Sequence, residues 1–239
     1  MNNWSRICFA LMTFAFTFLL LGCGGMSTPP APKATASFRF VQKDPTAGTV
    51  DVLMDSTLIK GSVTFSTDTG YLTVDAGMRQ LLVQPPGGSP RPFVNTPITL
   101  NSNTRNTFIL GGWGAFNGMG LFLTDDTTPP VSGGIKLRIA DLTAEAALVD
   151  IFVLQSPNTP SGTPTISPPF LPFASNYLAL PAGTYDVFVT NFQTTTVLFH
   201  TGPMTFSAGQ NRTVVLSNDC LPNSCGFNSF KATTLADLN

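Results

Sequence analysis

The chain carries much of its own pattern twice, and this self-similarity constrains its fold more than any other feature. "SFRFV" (37–41) matches "KLRIA" (136–140) and "TVDVLM" (49–54) matches "LVDIFV" (148–153), both at an offset of 99. Further on, "YLTVDAG" (71–77) matches "YLALPAG" (177–183) and "TPITL" (96–100) matches "GPMTF" (202–206), both at 106, an offset that Thr107 and Thr213 keep. The second copy therefore holds seven extra residues, which fall in the Pro-rich stretch "SPNTPSGTPTISPPFLPF" (156–173). A period near 100 residues is the size of a small domain, so the repeat implies two domains of one fold.

Each copy reads as strands. Phe38 and Phe40 alternate around Arg39, and Leu137 and Ile139 do the same around Arg138, a period of two. Val50, Val52 and Met54 make one face of the next strand, as Val149, Ile151 and Val153 do in the second copy. "RNTFIL" and "NRTVVL" are apolar on both faces, as central strands are. Glycine and proline, 21 and 20 in number, supply turns between them. Roughly seven short strands in about 90 residues is the pattern of an immunoglobulin-like β-sandwich. The expected fold is thus all-β, with two tandem sandwich modules at 37–124 and 135–218. A linker, "DDTTPPVSGG" (125–134), joins two semi-independent modules, and residues 219–239 form a tail. One stretch dissents. "ADLTAEAALVD" (140–150) is rich in helix formers, but its counterpart carries Pro45 and Gly48, so a loop with one helical turn is expected.

The strand "FRFV", the "VDV" strand ten residues on, the "YLTVDAG" turn, the strand "NTFIL" and the link "LTDDTTPPVSGGIKLRIA" together resemble the bacterial domain of unknown function 4397. The likeness runs over about residues 37–218. It implies a β-sandwich in a secreted protein or lipoprotein, and brings no established activity. The chain departs from that pattern where a His-Ala-Ser-Pro-like loop is expected, with Gln42, Lys43 and Asp44 in copy one and Ala140, Asp141 and Leu142 in copy two.

The start of the chain reads as an address. Asn2 to Arg6 give a short positive segment, and Ile7 to Leu21 follow without charge. That run is as long as a signal-peptide core and short of the roughly 20 residues that span hydrocarbon. Leu20, Leu21, Gly22 and Cys23 resemble a lipoprotein signal, which implies a signal peptide of residues 1–22, cleavage after Gly22 and acylation of Cys23. Two or three acyl chains make a stable membrane anchor. Residues 23–36 would be the flexible spacer, and Gly24 in place of Asp is similar to the Gram-negative sorting pattern, which implies the outer membrane.

Composition then excludes partners. Only 10% of the chain is charged, with 12 basic and 13 acidic residues, so no basic stripe exists to neutralise nucleic acid. With Cys8 in the signal and Cys23 acylated, Cys220 and Cys225 are the remaining thiols, and "CLPNSC" in an oxidising envelope reads as a disulfide. A zinc site would need ligands that the single His200, on another segment, does not supply.

Candidate chemistry is sparse. Arg39 with Asp51, and Arg138 with Asp150, recur at one spacing and read as cross-strand ion pairs, worth at most about 1 kcal/mol each if exposed. Asp125 and Asp126 read as solvated linker charges, and His200 as an incidental surface histidine. "GGWGAFNGMG" (111–120) offers Trp113, Phe116 and Met119 either as an interaction surface or as a plug for module one. No G-x-S-x-G, H-E-x-x-H, G-x-G-x-x-G or P-loop string occurs, so no catalytic, metal or cofactor residue is expected. The function expected is a lipid-anchored, non-enzymatic binding or scaffolding protein of the envelope, with a protein or glycan partner. The alternatives are a carbohydrate-active or other hydrolase using dispersed Asp residues, and an accessory subunit of an envelope complex.

Overall fold

The structure, a computed structural model, describes residues 33–112, 119–143, 148–167, 170–218 and 229–239. Every regular element among them is a strand. The first half contributes β1 (Thr35–Gln42), β2 (Val50–Met54), β3 (Thr57–Val63), β4 (Leu72–Asp75), β5 (Gly77–Gln84), β6 (Val94–Leu100), β7 (Arg105–Gly111) and β8 (Met119–Asp125). The second contributes β9 (Gly134–Asp141), β10 (Val149–Gln155), β11 (Phe173–Ala174), β12 (Leu178–Pro181), β13 (Gly183–Asn191), β14 (Val197–His200), β15 (Met204–Phe206), β16 (Asn211–Asn218) and β17 (Phe230–Leu238).

Four sheets result, two per half. In the first half they run β4-β1-β7-β8 and β3-β2-β5-β6. In the second, β9, β16 and β17 follow one another with β11 and β12 on the outer side of β9, and β10, β13 and β14 form the other sheet with β15 on β13. The pairing of β1 with β7 is parallel, as is that of β9 with β16, and the remaining ladders are antiparallel. The dissenting stretch 140–150 carries the end of β9 and the start of β10, and its residues 144–147 lie outside the described ones.

Alternation along the strands explains the packing. Phe38, Phe40, Phe108 and Leu110 point into the first sandwich, beside Val50, Val52, Leu81 and Val83 of its other sheet. Leu137, Ile139, Val214 and Leu216 do the same in the second, against Ile151, Val187 and Val189. The opposite faces of these same strands meet each other. Val41, Ile109 and Leu123 of one half pack against Ala140, Leu142, Val215 and Leu235 of the other in a third core. This is why "RNTFIL" and "NRTVVL" are apolar on both faces: each is buried between its own sandwich and its neighbour.

Two expectations are corrected here. The halves are not semi-independent, because Lys33–Asn239 forms one compact unit. The six Val, Ile and Leu side chains of the third core contribute together about 10 kcal/mol of apolar burial, too much for a joint that opens freely. Nor are residues 219–239 merely a tail, since β17 is a full strand against β16, placed as β8 is against β7.

The joint leaves no room at Gly111. A Cβ there would stand 2.7 Å from two carbons of Leu142, a fully buried side chain. Gly111→Ala is therefore expected to cost about 1–3 kcal/mol by overpacking, measured as a lower urea midpoint with unchanged slope.

Candidate functional site

The third core surrounds a polar centre. Arg39 and Arg138 sit between the inward-facing residues of β1 and β9, so alternation turns both toward the opposite half. Arg39 donates from Nη2 to Asp237 Oδ1 at 2.6 Å, from Nε to Thr107 Oγ1 at 3.0 Å and from Nη1 to the Ala236 carbonyl at 2.9 Å. Arg138 repeats the set on the other side. Its Nη2 donates to Asp125 Oδ1, its Nε to Thr213 Oγ1 at 3.0 Å and its Nη1 to the Thr124 carbonyl at 3.0 Å. The second oxygen of Asp125 accepts from Thr107 at 2.6 Å and from the Tyr71 hydroxyl at 2.8 Å. That of Asp237 accepts from Thr213 at 2.6 Å and from the Tyr177 hydroxyl at 2.8 Å. Each guanidinium also lies over a tyrosine ring, Arg39 at 4.5 Å from Tyr71 and Arg138 at 4.6 Å from Tyr177.

The arrangement is a reciprocal exchange: each half lends its arginine to the other half's aspartate. Both carboxylates are fully buried and both guanidiniums nearly so. Such burial is tolerated because the charges balance and both oxygens of each carboxylate are hydrogen-bonded. Burial, and next the adjacent Asp125 carboxylate, push the Tyr71 hydroxyl well above its ordinary range, and burial with Asp237 does the same to Tyr177. Burial works against the charge on Arg39, but Tyr71, Asp237 and Asp125 outweigh it and hold that group firmly protonated. Every oxygen of the two carboxylates thus has a donor, and the centre ties the two halves together in one fixed geometry.

Several sequence expectations change. Arg39 does not pair with Asp51, nor Arg138 with Asp150, because β1 and β2 belong to different sheets, as do β9 and β10. Asp51 instead accepts from the Ser62 N–H at 2.8 Å, and Asp150 from the Ser167 hydroxyl and the Gln193 N–H. Asp125 is no solvated linker charge, being the buried anchor of Arg138. Asp126 faces Lys136 at 2.6 Å, and although burial opposes ionisation, Lys136 and Thr128 hold its pKa below the ordinary value. His200 is half-exposed but engaged: Nε2 lies 2.8 Å from Asp186 Oδ1, and the ring stacks on Phe188 at 4.3 Å.

Cys23, Trp113, Phe116, Cys220 and Cys225 lie outside the described residues, as does the side chain of Met119, whose backbone opens β8. Among the described residues no three His, Cys, Asp or Glu side chains gather as metal ligands. Sequence reasoning missed Tyr71, Tyr177 and Asp237 as members of one centre. The signal was present: both tyrosines open the matched "YLTVDAG" and "YLALPAG", and "FLTD" (122–125) reappears as "TLAD" (234–237).

Fold and centre together define a class: an all-β protein of two sandwich-like halves clamped by exchanged arginine–aspartate pairs. Residues 36–152 match the family model described as Domain of unknown function (DUF4397). That span takes in the first half with β9 and the opening of β10, and so contains Arg39, Tyr71, Thr107, Asp125 and Arg138. No curated protein matches the chain.

Proposed function

We propose that the protein is a lipid-anchored, non-enzymatic binding or scaffolding module of the cell envelope, built from two tandem copies of the domain that residues 36–152 match. The observation that carries this reading is the use made of its charged residues. Two arginines and two aspartates are spent inside the joint between the halves, where they fix one half against the other. A hydrolase built from dispersed aspartates needs carboxylates facing a common cleft. Here Asp125 and Asp237 are interior, Asp150 is tied to Ser167 and Gln193, and Asp186 is tied to His200. What remains for function is the outer sheet faces and loops, carried on the N-terminal spacer that follows Cys23. Equivalent sheets and equivalent partners around Arg39 and Arg138 support the tandem reading.

Mass spectrometry of the N-terminal peptide from protein extracted from native envelopes tests the anchor. A diacylglyceryl-modified Cys23 is expected, and Cys23→Ser is expected to release the protein into aqueous buffer. Wild-type protein that extracts without detergent and carries an unmodified Cys23 overturns this reading. Crosslinking on intact envelopes tests the role, with a stoichiometric protein or glycan adduct as the expected result.

A further inference from the structure

Strand register matches the two halves row by row. Across β4, β1 and β7 of the first half, Thr73, Ser37 and Arg105 stand side by side. Across β12, β9 and β16 of the second, the same row is Ala179, Lys136 and Asn211. Ser37 and Lys136 each precede an inward-facing residue, Phe38 and Leu137, so both rows lie on the face that carries Arg39 and Arg138.

The second row is covered by the chain itself. Lys136 Nζ donates to Asp126 Oδ2 at 2.6 Å and to the Thr128 carbonyl at 3.1 Å. Asn211 Nδ2 donates to the carbonyls of Asp126 and Thr128 at 2.7 and 3.0 Å. An acidic, acceptor-rich segment thus rests on an amine and an amide.

The first row faces a cavity of about 340 Å³, to which Thr35, Asn103 and Thr127 also contribute, with Leu238 from the other half. Its cation is Arg105, held by a hydrogen bond from Nη1 to the Asp237 carbonyl at 2.8 Å and by the Tyr71 ring, whose centre lies 5.0 Å away. Lys33, Arg39, Arg79, Lys136 and Arg138 each have a carboxylate within 4 Å, but Arg105 has none among the described residues. Asp75, in register with Thr35, is taken up by Lys33 at 3.2 Å and Arg79 at 3.7 Å. The side chains of Thr35, Ser37, Thr73, Asn103 and Thr127 make no hydrogen bond among the described residues.

We propose that this cavity binds one carboxylated sugar unit, with its carboxylate on Arg105 and its hydroxyls on Ser37, Thr73 and Asn103. The guanidinium supplies a planar fork of donors that matches a carboxylate. Four hydroxyls and an amide, each able to donate and accept, suit a ligand whose own hydroxyls do both, and a bare anion would leave most of them unmatched. The volume lies at the small end of the range for small-molecule sites, about 300–1,000 Å³, which suits a single ring. A peptide cannot add here as a strand, because β1 is already paired with β4 and β7, and β7 with β1 and β8.

The proposal names the partner class for the binding role above and rests on that role. Its test uses the purified, detergent-solubilised full chain, so its outcome is read apart from the acyl anchor and from crosslinking on envelopes. Sodium glucuronate is titrated and followed by saturation-transfer NMR. Saturable binding with a Kd of about 1 mM is expected, tighter than that of glucose or acetate by roughly tenfold or more. Arg105→Gln is expected to weaken it by roughly tenfold or more and Ser37→Val by about fivefold, while Arg91→Gln, at an exposed position between β5 and β6, leaves it unchanged. Ser37→Val keeps the bonds of Arg105, so it decides the matter if Arg105→Gln does not fold. Absence of saturable binding by the wild type, or binding that Ser37→Val leaves intact, overturns the proposal. Acetate or N-acetyl-aspartamide binding as tightly as glucuronate overturns it too, by making any carboxylate the occupant.

Discussion

Replacing Asp237 by alanine is expected to lower the free energy of unfolding by about 3–5 kcal/mol, read from urea titrations. The substitution leaves the Arg39 guanidinium buried without its 2.6 Å partner and strands the hydroxyls of Tyr177 and Thr213. An exposed ion pair would cost at most about 1 kcal/mol, so the size of the loss separates a buried centre from a solvated one. Asp125→Ala is expected to cost about the same, because Asp125 stands to Arg138, Tyr71 and Thr107 as Asp237 stands to Arg39, Tyr177 and Thr213. The pair Arg39→Met with Asp237→Leu is expected to recover only the part of the loss that comes from the unpaired charge, since the Tyr177 and Thr213 hydroxyls still lack their acceptor. A loss below about 1 kcal/mol for both single alanine variants would mean that water reaches the joint and that the halves move apart.

Asp141→Asn is expected to work in the other direction, and only above mild acidity. Asp141 is fully buried at the end of β9, and Oδ1 accepts from the N–H and hydroxyl of Thr143 while Oδ2 has no partner among the described residues. Burial pushes its carboxyl up to about 6, against a weaker downward pull from the Thr143 hydrogen bonds. The folded pKa thus exceeds the unfolded value of 3.8, so the fold binds the proton more tightly than the unfolded chain does. The stabilisation is complete below pH 4 and falls away as pH rises to about 6, a loss of roughly 3 kcal/mol that stays constant above. The equivalent residue of the first half, Gln42, shows the neutral solution: Oε1 accepts from the Asp44 N–H at 2.8 Å and Nε2 donates to the Gly48 carbonyl at 3.0 Å. Asparagine at 141 carries the same two functions without a charge. Urea midpoints from pH 4.5 to 8 are expected to diverge, with the variant the more stable by up to about 3 kcal/mol at pH 7. Parallel profiles for the two proteins would show that Asp141 reaches solvent.

The fold was legible where pattern is local. Period-two alternation around Arg39 and Arg138 located β1 and β9, and doubly apolar "RNTFIL" and "NRTVVL" marked β7 and β16 as central strands. The site was less legible. Arg39 and Asp51 stand at a spacing that would face them across a hairpin, but β1 and β2 belong to different sheets, and Arg39 reaches Asp237, 198 positions away. Thr107 and Thr213 kept their offset in the sequence, yet nothing local says that each hydroxyl links an arginine to a carboxylate.

The order of apolar and polar residues along each half was enough to determine strands, turns and an all-β class, because alternation is a property of residues one and two apart in the chain. Which faces of those strands meet was decided only in three dimensions. A buried charge is tolerable only where an opposite charge and enough donors arrive from the other half, and that condition depends on distances the linear chain does not carry.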